Sequence, residues 1–477
     1  MWLRLVVTLI LAMLYVAVIY YYMSMFQQNS YRASRFWTWF RKSPLPRFVR
    51  SAKVKFVFTP RMRRLAVVEA VLFILLSVAS VYGAVACVVL SPFVMLLCDI
   101  LLKPVEKHIT MGFYKDAQRI LASRNDLIII GVTGSYGKTS TKNYLYRILS
   151  EKYNVLMTPG NFNTTLGVVR TIREYLEPYH QVFIVEMGAK QSGDIKEICD
   201  LVHPTIGIIT AVGEMHLETF GSFENIQRTK FELARALPSD GLAVMNMDSP
   251  GVSSYVDKAG LQCKTVLYGI DAHRADCRAA NIVYSPSGME FDFISRSGSG
   301  HYRTHVLGEC NVLNLCAALT VAEYLGVNPL QRAVAVYKIQ PVEHRLSMRR
   351  SGGVTVLDDA YNSNPEGAAM ALGVLRSMNL PQGAFKIVIT PGFVEMGSAQ
   401  YVRCHRLGEL AAKSCDFLVV VNRTNREAIV SGARDAGMPE SCIVCADTLA
   451  QAHVMISPMF TAGSVVLYEN DLPDTFK

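Results

Sequence analysis

The stretch GVTGSYGKTST, residues 131–141, decides the fold of this chain. It follows an apolar run at residues 127–130, which predicts a buried strand, and it precedes a helical pattern at residues 142–149. A glycine-rich turn between a strand and a helix directs backbone N–H groups and the positive end of the helix at one point, where a phosphate chain fits. The context favours a phosphate-binding loop over a glycine-rich turn that precedes Lys-Thr by chance.

Two side chains of this loop have the chemistry that a bound phosphate chain requires. Lys138 can reach the terminal phosphates, and the hydroxyl of Thr139 can hold Mg²⁺. The pattern is a compact G-x-x-G-K-T, since Val132 stands where the longer G-x-x-x-x-G-K-[ST] pattern has its first glycine. The rest of the predicted phosphate cradle consists of Gly134, Ser135, Gly137 and Ser140.

Further polar residues follow predicted strands. Glu186 lies near the end of a predicted strand at Val182–Met187, and His216 follows another at residues 206–212. Either side chain can ligate a phosphate-bound cation, and ligands of open α/β sheets bind at this end of the strands, although each residue alone is more often structural. Lys230 lies on a predicted helix, where a surface lysine is the usual interpretation. Additional donors and acceptors come from Asn161, Asn163 and Asn364.

Residues 103–477 read as two domains of α/β class. Short apolar runs alternate with helical patterns, which predicts mostly parallel sheets. We expect the boundary between the two domains near residues 340–341, after a predicted helix at residues 330–337. We therefore expect a membrane region at residues 1–102, a P-loop-type ATP-binding domain at 103–339 and a Rossmann-like domain at 340–477. The predicted strands are Val182–Met187, 206–212, Leu242–Asn246, 354–357, Lys386–Thr390, Phe417–Val421 and 465–468.

The first 102 residues have a composition typical of membrane segments. Residues 5–23 are 19 residues without a charge, and residues 70–98 are 29 residues without a charge. About 20 apolar residues span a bilayer as a helix. We therefore expect an anchoring helix at 5–23 and, at residues 65–102, either a tight hairpin near Gly83 or a re-entrant segment.

A basic loop connects these two segments. Residues 27–64 carry eleven Lys or Arg and no acidic residue, whereas the chain after residue 64 has 36 basic and 39 acidic residues. Such a run can bind nucleic acid, but the positive-inside rule and attraction to anionic membrane lipids explain it better. We therefore expect no nucleic-acid partner and a multi-pass protein of the cytoplasmic membrane, with residues 27–64 and the soluble domains in the cytoplasm.

From residue 126 onward the sequence resembles the Mur ligases, most closely the branch that adds D-alanyl-D-alanine to UDP-N-acetylmuramoyl-tripeptide. The resemblance covers about 240 residues with agreeing order and spacing. The motifs that carry it lie at residues 133–139, 160–167, 185–189, 216–221, 230–232, 246–248, 308–314, 345 and 358–365.

The resemblance implies an ATP-dependent ligase that joins a carboxylate of a cell-wall precursor to an amino-acid or dipeptide amine through an acyl phosphate. It implies two Mg²⁺ sites, one held by Thr139 and Glu186 and the other by His216, with Lys230 acting as a carbamate. The catalytic set it implies is Lys138, Lys230, His216 and Arg345. Nucleotide contacts are expected from Asn311, Asn314, Arg345 and Asp358, and substrate contacts from Asn161, Asn163, Thr164, Asn362 and Asn364.

Three departures from the family pattern concern substrate recognition. Membrane segments stand where the family has a uridine-nucleotide domain. The final predicted strand continues as YEND, residues 468–471, where the D-alanyl-D-alanine branch has a lysine-glycine-serine motif. Phe393 replaces an expected aspartate. Two alternatives therefore remain: a nucleotide-binding membrane scaffold without ligase turnover, and a ligase for another polymer such as a polyamino acid.

Overall fold

The computed structural model describes residues 2–29, 31–42, 56–215, 217–285, 288–341, 344, 346–360 and 364–472. The chain divides into two compact units, one made of Met1–Phe113 with Leu472–Lys477 and the other of Tyr114–Asp471. This boundary falls later than the predicted residue 102, and both positions lie within one long helix, Ser91–Ala122.

The described part of the first unit is helical. Tyr15 of the first helix stacks on Phe73 of the third, with ring centroids 4.9 Å apart. The helices are α1 (Trp2–Gln28), α2 (Ala33–Lys42), α3 (Pro60–Ala79), α4 (Val81–Val89) and α5 (Ser91–Ala122), of which α5 continues into the second unit.

Among the described residues, α1 alone is long and apolar enough to cross a membrane by itself. Helices α4 and α5 pass the same test only as a pair, and they meet at 90°, as a broken span or a re-entrant loop would. The structure therefore has one candidate span, or up to two, and the expected multi-pass arrangement is not confirmed.

The expected turn near Gly83 lies instead at Ser80, which ends α3 and caps the start of α4 with its hydroxyl. Gly83 belongs to α4, and a Cβ atom there would lie 2.4 Å from the carbonyl oxygen of Leu76. The glycine thus permits close packing of α3 and α4 rather than forming the turn itself.

Two of the eleven basic residues in the loop have acidic partners far along the sequence. Arg61 lies 2.8 Å from Asp99, and Arg64 forms a two-pronged ion pair with Glu106, with its Nε atom 2.6 Å from Oε1. The basic loop therefore presents less free positive charge than its sequence alone suggests.

The second unit alternates strands and helices around two sheets. Its first part contains β1 (Ile128–Thr133), α6 (Lys138–Leu149), β2 (Val155–Met157), α7 (Thr165–Tyr175), β3 (Val182–Met187), α8 (Asp194–Val202), β4 (Ile206–Ile209), α9 (Leu217–Phe220), α10 (Phe223–Lys230), α11 (Glu232–Arg235), β5 (Leu242–Asn246), α12 (Pro250–Ser253), β6 (Lys264–Gly269), β7 (Cys277–Ser285), β8 (Gly288–Ser295), β9 (Gly298–Thr304), α13 (Glu309–Tyr324) and α14 (Pro329–Tyr337).

The second part begins after the predicted join. It contains β10 (Ser347–Ser351), β11 (Val354–Asp359), α15 (Pro365–Ser377), β12 (Lys386–Thr390), α16 (Gln400–Ala412), β13 (Phe417–Val421), α17 (Arg426–Asp435), β14 (Ile443–Ala446), α18 (Leu449–Ile456) and β15 (Val465–Glu469).

The sheets are mainly parallel, as the alternating pattern predicts. The first has the order β2-β3-β1-β4-β5-β6-β7-β8-β9 and the second β10-β11-β15-β12-β13-β14. Among the strands of the described residues, only β7-β8-β9 and β10-β11 pair antiparallel. The β7–β9 meander was not predicted, because its strands are half exposed and lack the continuous apolar runs of buried parallel strands.

Strand β1 is covered on both faces of the sheet. Ile130 and Val132 belong to the core cluster that contains α6 and α13, whereas Ile129 belongs to the cluster on the opposite face. Such two-sided burial is typical of a parallel strand between helical layers. Because β1 lies between β3 and β4, the loop that follows it opens at a point where the chain diverges to either side, the usual ligand position of α/β sheets.

Candidate active site

The loop after β1 can be formed only with glycine at two positions. Gly134 has a φ of +152°, and a Cβ atom there would lie 2.1 Å from Oγ1 of Thr210. Gly137 has a φ of +82°, and its Cβ would lie 2.5 Å from Oδ1 of Asn314. The close approach of β4 and α13 to the loop therefore explains both glycines.

Lys138 begins α6 and folds over the loop. Its Nζ atom donates hydrogen bonds to the carbonyl oxygens of Gly134, at 2.8 Å, and Ser135, at 3.0 Å. Ser135 in turn exchanges two 3.0 Å hydrogen bonds with the backbone of Gly213, after β4. The loop is thus fixed to β4, and an ammonium group lies at its mouth.

The hydroxyl of Thr139 donates to Oε1 of Glu186 over 3.2 Å. The parallel register explains this contact, since Val132 of β1 pairs with Glu186 of β3. Two oxygens at neighbouring positions of an octahedral Mg²⁺ ion, each about 2.1 Å from the metal, lie roughly 3 Å apart. The two oxygens therefore fit Mg²⁺, which in nucleotide sites takes its remaining ligands from phosphates and water.

Glu186 is 1% exposed, and three side chains surround it. Asn163 donates to Oε1 over 3.1 Å, and Nζ of Lys142 lies 3.0 Å from Oε2. Burial acts to raise the pKa of Glu186. The charges of Lys142 and Lys138, together with hydrogen bonds from Asn163 and Lys142, outweigh burial, so the pKa lies below its usual value and the carboxylate is ionised. An ionised carboxylate is the form that binds a cation.

Lys230 is not a surface lysine. It ends α10 and is only 4% exposed. Burial, together with the positive charge of Lys138, lowers its pKa to about 7, although Asp194 and Glu232 act in the opposite direction. A neutral amine is therefore abundant at physiological pH, and this is the form that reacts with carbon dioxide.

Asn311 and Asn314 lie at the start of α13, where they bind α6. Tyr144 donates to Oδ1 of Asn311 over 2.8 Å, and Thr141 donates to Oδ1 of Asn314 over 3.0 Å. Both asparagines are buried. The contacts observed here join the two helices, and the expected role beside adenine stays a prediction.

The expected substrate residues are divided between two loops. Asn163 contacts Glu186, and a Cβ atom on Gly188 would lie 2.9 Å from its side chain, so glycine permits this approach. Thr164 caps α7 by accepting a hydrogen bond from Gly167 over 3.3 Å, and Asn161 is exposed beside it. Asn364 caps α15 by accepting from the backbone of Gly367 over 2.9 Å.

Three predicted site residues, His216, Arg345 and Asn362, lie outside the described residues. Asp358 is described at the end of β11, where its carboxylate lies 2.8 Å from Nδ1 of His344 and accepts a hydrogen bond from the backbone of Ala360. The second Mg²⁺ site and the arginine of the C-terminal part therefore stay predictions.

Three features of the site and its surroundings were missed from the sequence. Lys142 could have been found, since residues four apart lie on one face of a helix and Lys142 follows Lys138 by four positions. The other two join the two sheets. Arg403 of α16 binds Glu214 with a shortest contact of 2.6 Å, and Glu366 of α15 faces Gly213, whose Cβ would lie 3.1 Å from its Oε2. No local pattern predicts such long-range contacts.

Comparisons with known proteins agree with this geometry. Residues 132–322 match the model of the Mur ligase middle domain. The UDP-N-acetylmuramoyl-tripeptide--D-alanyl-D-alanine ligase of Mycobacterium bovis is 33% identical over 329 residues, which cover 65% of this chain and 62% of that relative. The chain thus spans less than two thirds of that relative's length.

Solved structures give the same answer for the fold. A crystal structure of MurF from Acinetobacter baumannii superposes with a TM-score of 0.69 at 26% identity, covering 77% of this chain and 78% of that one. MurF ligase from Thermotoga maritima in complex with ADP gives 0.66 at 25% identity, covering 77% and 81%. The chain therefore contains a Mur ligase middle domain and is similar in fold to these ligases over 77% of its length.

Proposed function

We propose that this chain is an ATP-dependent ligase that forms an amide bond between a muramoyl-peptide carboxylate of a peptidoglycan precursor and an amino-acid or dipeptide amine. The observation that carries the proposal is the pairing of Thr139 with the ionised Glu186 beside Lys138, at the mouth of a loop shaped for phosphates. The named relatives act on a UDP-N-acetylmuramoyl-tripeptide and D-alanyl-D-alanine, which supports this substrate class.

The reaction has two steps. An oxygen of the precursor carboxylate bonds to the γ-phosphorus of ATP as the bond to the β-γ bridging oxygen breaks, which gives an acyl phosphate and ADP. The neutral amine then attacks the acyl carbon, phosphate leaves, and the amine loses a proton. Such chemistry depends on positioning and charge neutralisation. Mg²⁺, when bound, neutralises phosphate charge.

The chain's own residues have separate tasks in this scheme. Lys138 turns from its two carbonyl partners to the terminal phosphates, while Thr139 and Glu186 hold the metal. The neutral amine of Lys230 reacts with carbon dioxide, forming an N–C bond and releasing one proton, so that an uncharged amine becomes a carbamate anion. We propose that this anion serves the second metal with His216.

For the acyl donor, we favour a lipid-linked precursor over a UDP-linked one. Helix α1 would hold the enzyme at the bilayer, and confinement would raise the effective concentration of a lipid-linked substrate. The basic loop, which includes Arg32, Arg35 and Arg41 of the described part, would attract its pyrophosphate.

The test compares the purified full-length protein in detergent on UDP-muramoyl-peptide and on its undecaprenyl-linked counterpart. We expect ADP release with both, dependent on an added amine, and a higher kcat/KM on the lipid-linked form. A much higher kcat/KM on the soluble form would contradict the lipid preference but leave the ligase intact. No amine-dependent ADP release with any precursor or amino acid would favour the nucleotide-binding scaffold instead.

Membrane topology provides an independent prediction. We propose that residue 1 faces outward and that residues 27–64 and the ligase part lie in the cytoplasm, because ATP and the basic residues are both expected there. A single cysteine introduced at position 45 should stay unlabelled by an impermeant thiol reagent in intact cells and react after permeabilisation. A cysteine at position 2 is the matched outward control. Efficient labelling of position 45 in intact cells would overturn this topology.

A further inference from the structure

Lys142 is a buried cation that the proposed reaction does not use. It lies one turn after Lys138 on α6, and its side chain is 1% exposed. Its Nζ atom donates to the carbonyl oxygens of Thr158, at 2.9 Å, and Gly160, at 2.6 Å, and lies 3.0 Å from Oε2 of Glu186. The ammonium group thus contacts three protein oxygen atoms, which take the place of solvent.

The two oxygens of Glu186 are consequently divided between different partners. Oε1 accepts hydrogen bonds from Thr139 and Asn163 and lies on the side where the proposed Mg²⁺ fits. Oε2 faces Lys142. If both oxygens bound one metal ion, Oε2 would share its negative charge between the metal and the ammonium group of Lys142, which makes it the weaker ligand of the two.

We propose that Lys142 restricts Glu186 to binding metal through Oε1 alone and thereby makes the nucleotide site selective for Mg²⁺ over Ca²⁺. This inference rests on the proposed function. Mg²⁺ requires octahedral geometry and commonly takes a single carboxylate oxygen, whereas Ca²⁺ takes six to eight oxygens and readily uses both oxygens of one carboxylate. A carboxylate with one oxygen already paired with Lys142 is therefore a better ligand for Mg²⁺ than for Ca²⁺.

A purely structural role predicts a different result. Lys142 also holds the backbone at Thr158 and Gly160, so its loss would loosen the loop that carries Asn163. Loosening alone would weaken nucleotide binding with either metal to a similar degree. The ratio of the two affinities therefore separates metal selection from anchoring.

The experiment measures ADP binding to the full-length protein by calorimetry, with Mg²⁺ or with Ca²⁺ as the sole divalent ion. In the unchanged protein we expect ADP with Mg²⁺ to bind about tenfold or more tightly than ADP with Ca²⁺. Lys142→Met and Lys142→Gln should reduce that preference several-fold, mainly through tighter binding with Ca²⁺. The glutamine keeps donors for the two carbonyl groups but carries no charge.

Lys152→Met is the matched control, because Lys152 also donates to two carbonyl oxygens, those of Leu325 and Gly326, both at 2.9 Å. It should keep the preference of the unchanged protein. An unaltered Mg²⁺-to-Ca²⁺ ratio in either folded Lys142 variant would overturn the proposal.

Equal affinities in the unchanged protein would also overturn it, and that measurement does not depend on a variant that folds. Failure of the proposed function is distinguishable from these results. If the unchanged protein binds ADP with neither metal, the nucleotide site itself is wrong. If it binds ADP with the expected preference but forms no amide, the selectivity of the site stands without the ligase assignment.

Discussion

Replacing Lys138 with alanine is expected to lower ATP-dependent turnover by several orders of magnitude. The terminal phosphates would lose the cation that is expected to neutralise their charge during transfer. The measurement is ADP release and amide formation at saturating ATP. We expect the folded state to persist, since Lys138 is only half-buried and its present partners are two loop carbonyls.

Lys152→Ala is the control for this variant. Lys152 also donates to two carbonyl oxygens, but it follows the C-terminal end of α6, whereas the phosphate loop precedes the N-terminal end of that helix. It should retain normal turnover. Normal turnover in a folded Lys138→Ala protein would show that the loop does not bind the reacting phosphates, and the assignment would fail.

The Lys230→Ala variant is expected to be inactive and to regain part of its activity when short carboxylic acids are added. The added acid would replace the carbamate anion that the proposed second metal site requires. Lys196→Ala is the control, since Lys196 is an exposed lysine paired with Asp200. A fully active Lys230→Ala protein would rule out the role.

The proposed carbamate on Lys230 should depend on pH. The pKa of Lys230 is lowered to about 7, so roughly nine-tenths of the amine is neutral near pH 8, whereas an ordinary lysine amine is almost entirely protonated there. Only the neutral form reacts with carbon dioxide, so carbamate content should fall as the pH decreases through 7. Carbon-13 NMR of protein equilibrated with labelled bicarbonate measures this content directly, and Lys230→Ala should lack the signal.

Much of the fold could be predicted from local patterns. Continuous apolar runs identified strands such as β3, β5, β12 and β13 with the bounds that the structure has. These strands are buried on both faces of the sheet, so their sequences do not alternate between apolar and polar residues. The bounds of each strand can therefore be taken from the apolar run. The strands of the β7–β9 meander were missed, since their exposed faces interrupt the apolar signal.

Site residues could be predicted only where a phosphate-binding or metal-binding side chain lies in the loop after a strand or at the end of a predicted strand. The loop residues and Glu186 satisfy that condition, and the structure brings Thr139 and Glu186 together. Lys142 was missed because a lysine inside a helix is usually a surface residue, although its spacing of four from Lys138 places both side chains on one face of α6. The pairing of Arg403 with Glu214 depends on how two sheets meet, which no local pattern encodes.

The order of the second sheet bears on how the protein is made. Strand β15 is the last described strand in the sequence, yet it lies inside the sheet, between β11 and β12. During synthesis the N-terminal part can fold first, as domains generally do. The second sheet can be completed only after residues 465–469 have left the ribosome, because the position of β15 between β11 and β12 is empty until then. A nascent chain that stops before these residues lacks the strand between β11 and β12, so we expect its second sheet to remain incomplete.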